Sequence, residues 1–564
     1  MTYTSLVVFH VAIKVLILFL EFLMNSLISN LFQQTTSTNF RYGTSGFRDR
    51  AEKLLPIVPR VGFVTVLRCA KLIEDLKLSK SCGLMITASH NPVKDNGLKI
   101  VDHTGSMLPV EWEVICTNIV NAGSEGQLRV LVGDLFCNLN EDFNFEEIKI
   151  FVGMDTRPSS LDFKNSLLSI FSILRINIID LGLVTTPQLH FAVLHSNTVS
   201  SDLTKESKFY LDNYYNQFSS AFNKFAEKLP LRSIEECTVD VANGVGGVAL
   251  TEVASKLKDK LSVTIRNNGD GVLNEGCGAD FVITNQKAPF ELEKNKCYCS
   301  LDGDADRIVF YSCDAEDSFL LLDGDRITCL LVHTIQNLML KTELSDRFHI
   351  TAVQTAYANG ASTDYLQKTL KVKVLCTSTG VKHLHRAAEE SSDIGVYFES
   401  NGHGTVIFSR AFKDFIQQNE KTSPDFELLQ LLIDMTNSAI GDALTDLLLV
   451  VSCLNYLEWG LKEWSGIYQE WLSKLTKAKV KDRYLLKVTN ADRTIVEPEG
   501  MQSELNKLIE SVNERSSKPE VKARCFIRPS GTEDIVRIYA EASSESDLNE
   551  IIIGAENLIM KYLE

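Results

Sequence analysis

Four short stretches of the chain combine residue types that could carry out chemistry. Ser89 and His90 stand in the run Thr87, Ala88, Ser89, His90, Asn91, Pro92, directly after the apolar residues Leu84, Met85 and Ile86. An apolar strand running into a polar loop places the Ser89 hydroxyl at a strand end, where active sites of α/β sheets gather. A hydroxyl beside an imidazole offers a nucleophile and a base, although Ser and His are also ordinary turn residues. The Gly-x-Ser-x-Gly frame of a hydrolase elbow is missing, which excludes that chemistry.

Asp302, Asp304 and Asp306 alternate through the loop after the apolar stretch ending at Leu301, and Arg307 follows. Carboxylates spaced two apart repel one another unless a cation sits among them, and hard oxygen ligands suit Mg²⁺. A calcium loop fails on register, because its sixth position would be Arg307 instead of Gly and its twelfth Cys313 instead of Glu. A phosphoaspartate loop of the form D-x-D-x-T/V fails at Asp306. The pair Asp323 and Asp325 has only two carboxylates and is expected to be a solvated turn.

The third stretch holds Arg528, Pro529, Ser530, Gly531 and Thr532, with Arg537 five residues further on. Two guanidiniums, two hydroxyls and a glycine that admits backbone N–H groups make a phosphate cradle. The strand beyond alternates, with Val536, Ile538 and Ala540 on one face and Arg537, Tyr539 and Glu541 on the other. Arg537 therefore need not be buried. The fourth stretch, Glu399, Ser400, Asn401, Gly402 and His403, offers a carboxylate and an amide suited to vicinal sugar hydroxyls, though a plain turn uses the same residues.

The elements that must hold these loops read as α/β. Short β-branched apolar runs at 83–87, 148–154, 238–242, 297–301 and 372–376 alternate with helical patterns. Within 203–225, Tyr214, Phe218, Phe222 and Phe225 fall at helical spacing and are expected to pack. Gly244, Gly246 and Ala249 satisfy a dinucleotide-binding pattern, but the acidic residue it needs would be Asp270 in a turn, so a packing loop at a helix start explains them better. Trp459, Trp464 and Trp471 are expected to pack. Polar stretches at 198–205 and 474–482 are the candidate boundaries.

Composition bounds the partners. The 564 residues carry 57 Lys and Arg against 73 Asp and Glu, a net charge of −16, which argues against nucleic-acid binding and requires any anionic substrate to find a local basic pocket. Thirteen cysteines lie scattered without paired spacing, consistent with reduced thiols and a cytoplasmic location. Residues 6–32 are strongly apolar, but Lys14 and Glu21 interrupt them. A signal peptide and a membrane span both fit poorly; a packed helix, a weak anchor and an N-terminal extension all stay open, and nothing requires a membrane.

Together the segments 87–92, 302–307, 398–404 and 528–534, in that order, resemble the motifs of the α-D-phosphohexomutase family. The stretches 42–48 and 153–160 are similar to further family segments, and those at 279–281, 354–360 and 379–385 to the branch that acts on N-acetylglucosamine phosphates. The resemblance covers about residues 40–564. It implies four domains around a central cleft, three α/β with mixed sheets and a C-terminal α+β domain, at 40–200, 201–318, 319–460 and 475–564, after an apolar extension at 1–39. It further implies that Ser89 carries a phosphoryl group, that Asp302, Asp304, Asp306 and the Ser89 phosphate hold Mg²⁺, and that His90 or Lys99 is the general acid/base. Arg307 would help neutralise the cleft, the loop Glu399, Ser400, Asn401, Gly402 and His403 would bind the sugar, and Arg528, Pro529, Ser530, Gly531, Thr532 and Arg537 its phosphate. Ser400 departs from the alanine more usual there. The implied reaction interconverts N-acetylglucosamine 6-phosphate and 1-phosphate through a sugar 1,6-bisphosphate, on the route to the UDP-activated sugar; action on glucose or mannose phosphates is the alternative.

Overall fold

The computed structural model describes residues 31, 39–43, 45–77, 80–136, 143–199, 206–419, 423–516, 518, 520–530 and 534–563. Four main sheets follow one another along it. In the first, strands Phe47–Arg50, Asp95–Val101, Ser81–Ile86, Lys149–Met154 and Asn177–Leu183 lie side by side in that order, antiparallel over the first three and parallel thereafter. Ser81–Ile86 is central and buried at every position, which is why it reads as a continuous apolar run. The second sheet is also mixed, with Tyr298–Leu301 parallel to Glu236–Asp240 and antiparallel to Ile308–Cys313. The third sets Ile350–Thr355 parallel to both Lys373–Thr377 and Ile394–Phe398, with Gly404–Phe408 antiparallel at the edge. The fourth is antiparallel, with Ile535–Ala542 between Leu472–Lys479 and Arg524–Pro529. Three mixed α/β sheets and a C-terminal α+β unit are thus present.

Two strands lie close to the expected boundaries. A limit at 318 would cut off Phe319–Leu322, which pairs antiparallel with Ile308–Cys313. A tight turn makes that hairpin, in which Asp314 N donates to Ser318 O and Ser318 N to the Asp314 carboxylate. The polar stretch 474–482 lies largely within Leu472–Lys479, an edge strand whose lysines are mostly exposed. Charge on an edge strand discourages further pairing, so a real strand can look like a linker in sequence.

The aromatic helix is Ser207–Lys228, and Tyr214, Phe218, Phe222 and Phe225 are all buried. They belong to one core shared between the second and third sheets, together with helices Gly324–Lys341, Pro424–Met435 and Ala443–Leu457. Trp464 is fully buried, with its indole N–H on Arg326 O. Gly244 is a packing glycine, because a Cβ there would run into the backbone of Gly303. The apolar segment 6–32 lies outside the described residues except for Leu31, whose carbonyl accepts a bond from Arg60 Nε. Among the described residues no helix is long and apolar enough to cross a membrane.

Candidate active site

Ser89 follows the central strand of the first sheet and is buried. Its backbone takes φ 51°, a left-handed conformation uncommon for serine. The surroundings hold it there: Ser89 N donates to Thr87 Oγ1, and Ser89 O accepts Arg157 Nη2 and Asn274 Nδ2, each at 2.8 Å. The Ser89 hydroxyl donates to Asp302 Oδ2 at 2.6 Å and lies 3.4 Å from His90 Nδ1. Gly303 allows this approach, since a Cβ there would come within 2.7 Å of Ser89 O.

The three aspartates converge. One oxygen from each of Asp302, Asp304 and Asp306 lies within 4.8 Å of the others, and all three residues are buried. Lys99 Nζ donates to Asp304 Oδ2 at 2.9 Å and Asp306 Oδ2 at 3.3 Å, and the Thr186 hydroxyl donates to Asp304 Oδ2 at 2.6 Å. Arg307 Nε stands 3.8 Å from Asp302 and 3.7 Å from Asp306. Burial, then Asp306 and Asp304, push the Asp302 carboxyl well above its usual range. At Asp304 burial and Asp306 act upward, but Lys99 and Thr186 outweigh them and hold it low. At Asp306 burial is likewise outweighed, by His403, Lys99 and Arg307. Asp304 Oδ1 and Asp306 Oδ1 are buried without hydrogen-bond partners. Buried carboxylate oxygens left bare beside a hydroxyl form a hard donor set that fits a divalent cation such as Mg²⁺.

His90 is kept neutral, its pKa lowered to about 2 by Arg307, burial and Arg48. Arg48 is itself a site residue that the sequence motifs did not assign. Its Nε is buried without a partner, and burial, then Arg307, lower its pKa.

The loop at 399–403 locks onto the aspartate loop. Gly402 has φ 85°, and a Cβ on it would run into the carbonyl of Ile308; Ile308 N in turn donates to Gly402 O. Glu399 Oε1 accepts Gly380 N, Asn401 Nδ2 donates to Glu399 Oε2, and His403 Nδ1 lies 3.8 Å from Asp306 Oδ1. Ser400 Oγ is 3.4 Å from Asp325 Oδ1. Asp323 and Asp325 are therefore not a solvated turn. Asp323 caps helix Gly324–Lys341, and buried Asp325 accepts Asn359 N. Burial raises both carboxyls, that of Asp323 to about 7.

The fourth sheet brings Arg528 and Arg537 directly opposite each other, with Arg537 exposed in a strand that is otherwise buried. Arg528 Nη1 is 3.5 Å from Asp492 Oδ2, which also accepts Thr379 N from the third domain. Ser530 is buried, and its N donates to Ile535 O. Gly531 and Thr532 lie outside the described residues. Tyr539 and Glu541, on Arg537's face, are covered: Glu541 binds Arg524 and accepts Gly360 N from the third domain. Arg157, Asn274, Thr186 and Asp492 join the site without any local sequence signal of their own, except that Arg157 lies in the family-like stretch 153–160.

Family models for phosphoacetylglucosamine mutase AMG1 match this chain over residues 208–309 (domain II) and 323–459 (domain III). Phosphoglucomutase/phosphomannomutase models match residues 60–127 and 131–201 (alpha/beta/alpha domain I) and 475–552 (C-terminal domain). Phosphoacetylglucosamine mutase 1 of Schizosaccharomyces pombe is 42% identical over 532 residues, 92% of this chain and 98% of that protein. A crystal structure of Aspergillus fumigatus N-acetylphosphoglucosamine mutase with GlcNAc-6P and magnesium superposes with a TM-score of 0.87 at 38% identity, covering 95% of this chain and 99% of that one. A serine-to-alanine variant of that enzyme with glucose 1,6-bisphosphate gives 0.86 at 37% identity, over 96% and 98%. With likeness sustained across all four domains and almost the full length of its relatives, the chain belongs to the phosphoacetylglucosamine mutase family.

Proposed function

We propose that this chain interconverts N-acetylglucosamine 6-phosphate and N-acetylglucosamine 1-phosphate through a phosphoserine at Ser89 and a sugar 1,6-bisphosphate. The observation that carries the reading is the Ser89 hydroxyl, 2.6 Å from Asp302 inside a buried triad of carboxylates. Asp302, Asp304, Asp306 and the Ser89 phosphate would hold Mg²⁺, which supplies positive charge against the charge developing on the transferred phosphoryl group.

The residues divide the remaining work. A sugar hydroxyl attacks the phosphorus on Ser89, the new P–O bond forms, the bond to Ser89 Oγ breaks, and the hydroxyl proton passes to a base. His90, 3.4 Å from Ser89 Oγ, and Lys99, bonded to Asp304 and Asp306, are the two candidates for that role. Arg307 and Arg48 add positive charge around the transfer. Glu399 and Asn401 would take the sugar hydroxyls, within the loop of Ser400, Gly402 and His403. Arg528, Ser530 and Arg537, with Pro529, Gly531 and Thr532, would grip the phosphate that is not reacting. The bisphosphate then turns over, its other phosphoryl group returns to Ser89 Oγ, and the freed sugar oxygen takes back the proton.

The test is a panel of hexose phosphates assayed with Mg²⁺ and a trace of sugar bisphosphate. N-acetylglucosamine 6-phosphate should be the preferred substrate; equal or better turnover of glucose or mannose 6-phosphate would overturn the assignment within the family.

A further inference from the structure

We propose that Lys477 is a third cation of the phosphate cradle, extending the proposed phosphate site across the full width of the C-terminal sheet. The register of that sheet carries the inference. Arg537 on the central strand is paired with Arg528 on one side and with Lys477 on the other. Residues directly opposite across antiparallel strands project to the same face, with Cβ atoms about 4.5–5.5 Å apart. Lys477, Arg537 and Arg528 therefore form a continuous row of three cations, on the face that carries Tyr539 and Glu541 and meets the third domain through Gly360.

Like charges set directly opposite cost stability unless something anionic compensates them. Among the described residues the protein provides little: Asp492 stands 3.5 Å from Arg528, and neither Arg537 nor Lys477 has an ion-pair partner. Such a row is conspicuous in a chain of net charge −16. A doubly charged phosphate is the ligand that resolves it, with Arg528 and Arg537 offering forked donors and Lys477 a mobile point charge at the open edge. Lys477 is exposed and sits on an edge strand, so nothing in the core depends on it. Because the same cradle must release and recapture the bisphosphate as it turns, a flexible cation at the rim is placed to retain that intermediate. The inference rests on the reading of Arg528 and Arg537 as the phosphate grip.

The experiment compares Lys477→Ala, Lys477→Arg, Arg537→Ala and, as a control, Lys474→Ala. Lys474 is on the same strand but paired with Ala540, on the opposite face. Each variant is assayed for KM in both directions, for the sugar bisphosphate concentration needed for full activity, and for thermal midpoint. Lys477→Ala should raise KM about 5- to 30-fold in both directions and raise the bisphosphate requirement, with a thermal midpoint equal to or slightly above wild type because one like-charge contact is removed. Lys477→Arg should restore most of the loss, and Lys474→Ala should behave as wild type. If Arg537→Ala raises KM and Lys477→Ala does not, Lys477 lies outside the cradle and this inference fails alone. If neither does, the cradle itself is wrongly placed. A Lys477→Ala effect that appears as a lowered thermal midpoint with unchanged KM would make the residue structural and overturn its role.

Discussion

Replacing Arg157 with alanine should damage both stability and turnover, although the residue has no assigned part in the chemistry. Its side chain is fully buried and donates to Asp155 Oδ2 at 2.9 Å, Pro92 O at 2.6 Å, Asp95 O at 2.9 Å, Ser89 O at 2.8 Å and Asn91 O at 2.9 Å. One guanidinium thus fastens the whole Ser89 loop to the end of the neighbouring strand. Truncation leaves four loop carbonyls short of a donor and strips buried Asp155 of its counter-charge; breaking a buried pair by removing one partner costs about 3–5 kcal/mol. For a cooperative unit of 150–250 residues each kcal/mol moves the midpoint roughly 2–4 °C, so the first sheet's unfolding should fall by about 6–20 °C. A displacement of Ser89 by about 1 Å should also lower kcat on the order of 10²-fold. Arg157→Lys, with three donors and no planar fork, should fall between. Differential scanning calorimetry and steady-state kinetics measure both quantities. A thermal midpoint within about 2 °C of wild type together with an unchanged kcat would refute the positioning role.

Further outcomes follow from the same geometry. Asp304→Asn should raise the Mg²⁺ concentration needed for half-maximal activity and lower kcat, because a buried anionic ligand is lost; an unchanged Mg²⁺ titration would reduce the triad to a turn. Gly402→Ala forces a Cβ toward the Ile308 carbonyl at φ 85° and should lower both thermal midpoint and substrate affinity; wild-type values for both would show that the two loops are not locked together. His190 and His385 are held down to about 4, mainly by burial. Below their ordinary value of 6.5 the unfolded chain takes up protons that the folded one refuses until about 4, so stability should fall as pH drops through that window. Denaturant titrations of the wild type and of His385→Gln check this, and identical slopes against pH would exclude His385 as a contributor.

The site was legible in sequence where local pattern and chemistry coincide. Ser89 and the aspartates follow buried strands whose apolar runs announce themselves, and Asp302, Asp304 and Asp306 are close in space because they are close in sequence. Strand alternation, being local, puts Arg537 on the face opposite Val536 and Ile538, but burial of Tyr539 and Glu541 on that same face comes from tertiary packing. Asn274 and Thr186 carry no local signal because each acts through partners far along the chain, which no periodicity encodes, and Arg157 has only the family-like stretch around it. Asp325 misled for a related reason: its type and spacing suit a wet turn, and only tertiary packing puts it under Ser400. The polar stretch 474–482 reads as a boundary candidate although much of it belongs to the strand Leu472–Lys479, because an edge strand needs no apolar run.

The central claim is that Ser89 passes a phosphoryl group to and from the sugar, and intact-protein mass spectrometry coupled to turnover tests it most directly. Wild-type protein incubated with sugar bisphosphate and Mg²⁺ should gain one phosphate, localised by fragmentation to Ser89, and should then convert N-acetylglucosamine 6-phosphate to the 1-phosphate. Ser89→Ala should gain none and turn over nothing, while still binding the sugar phosphate within about tenfold of wild type. Turnover by Ser89→Ala near the wild-type rate, or a phosphate localised on another residue, would contradict the account.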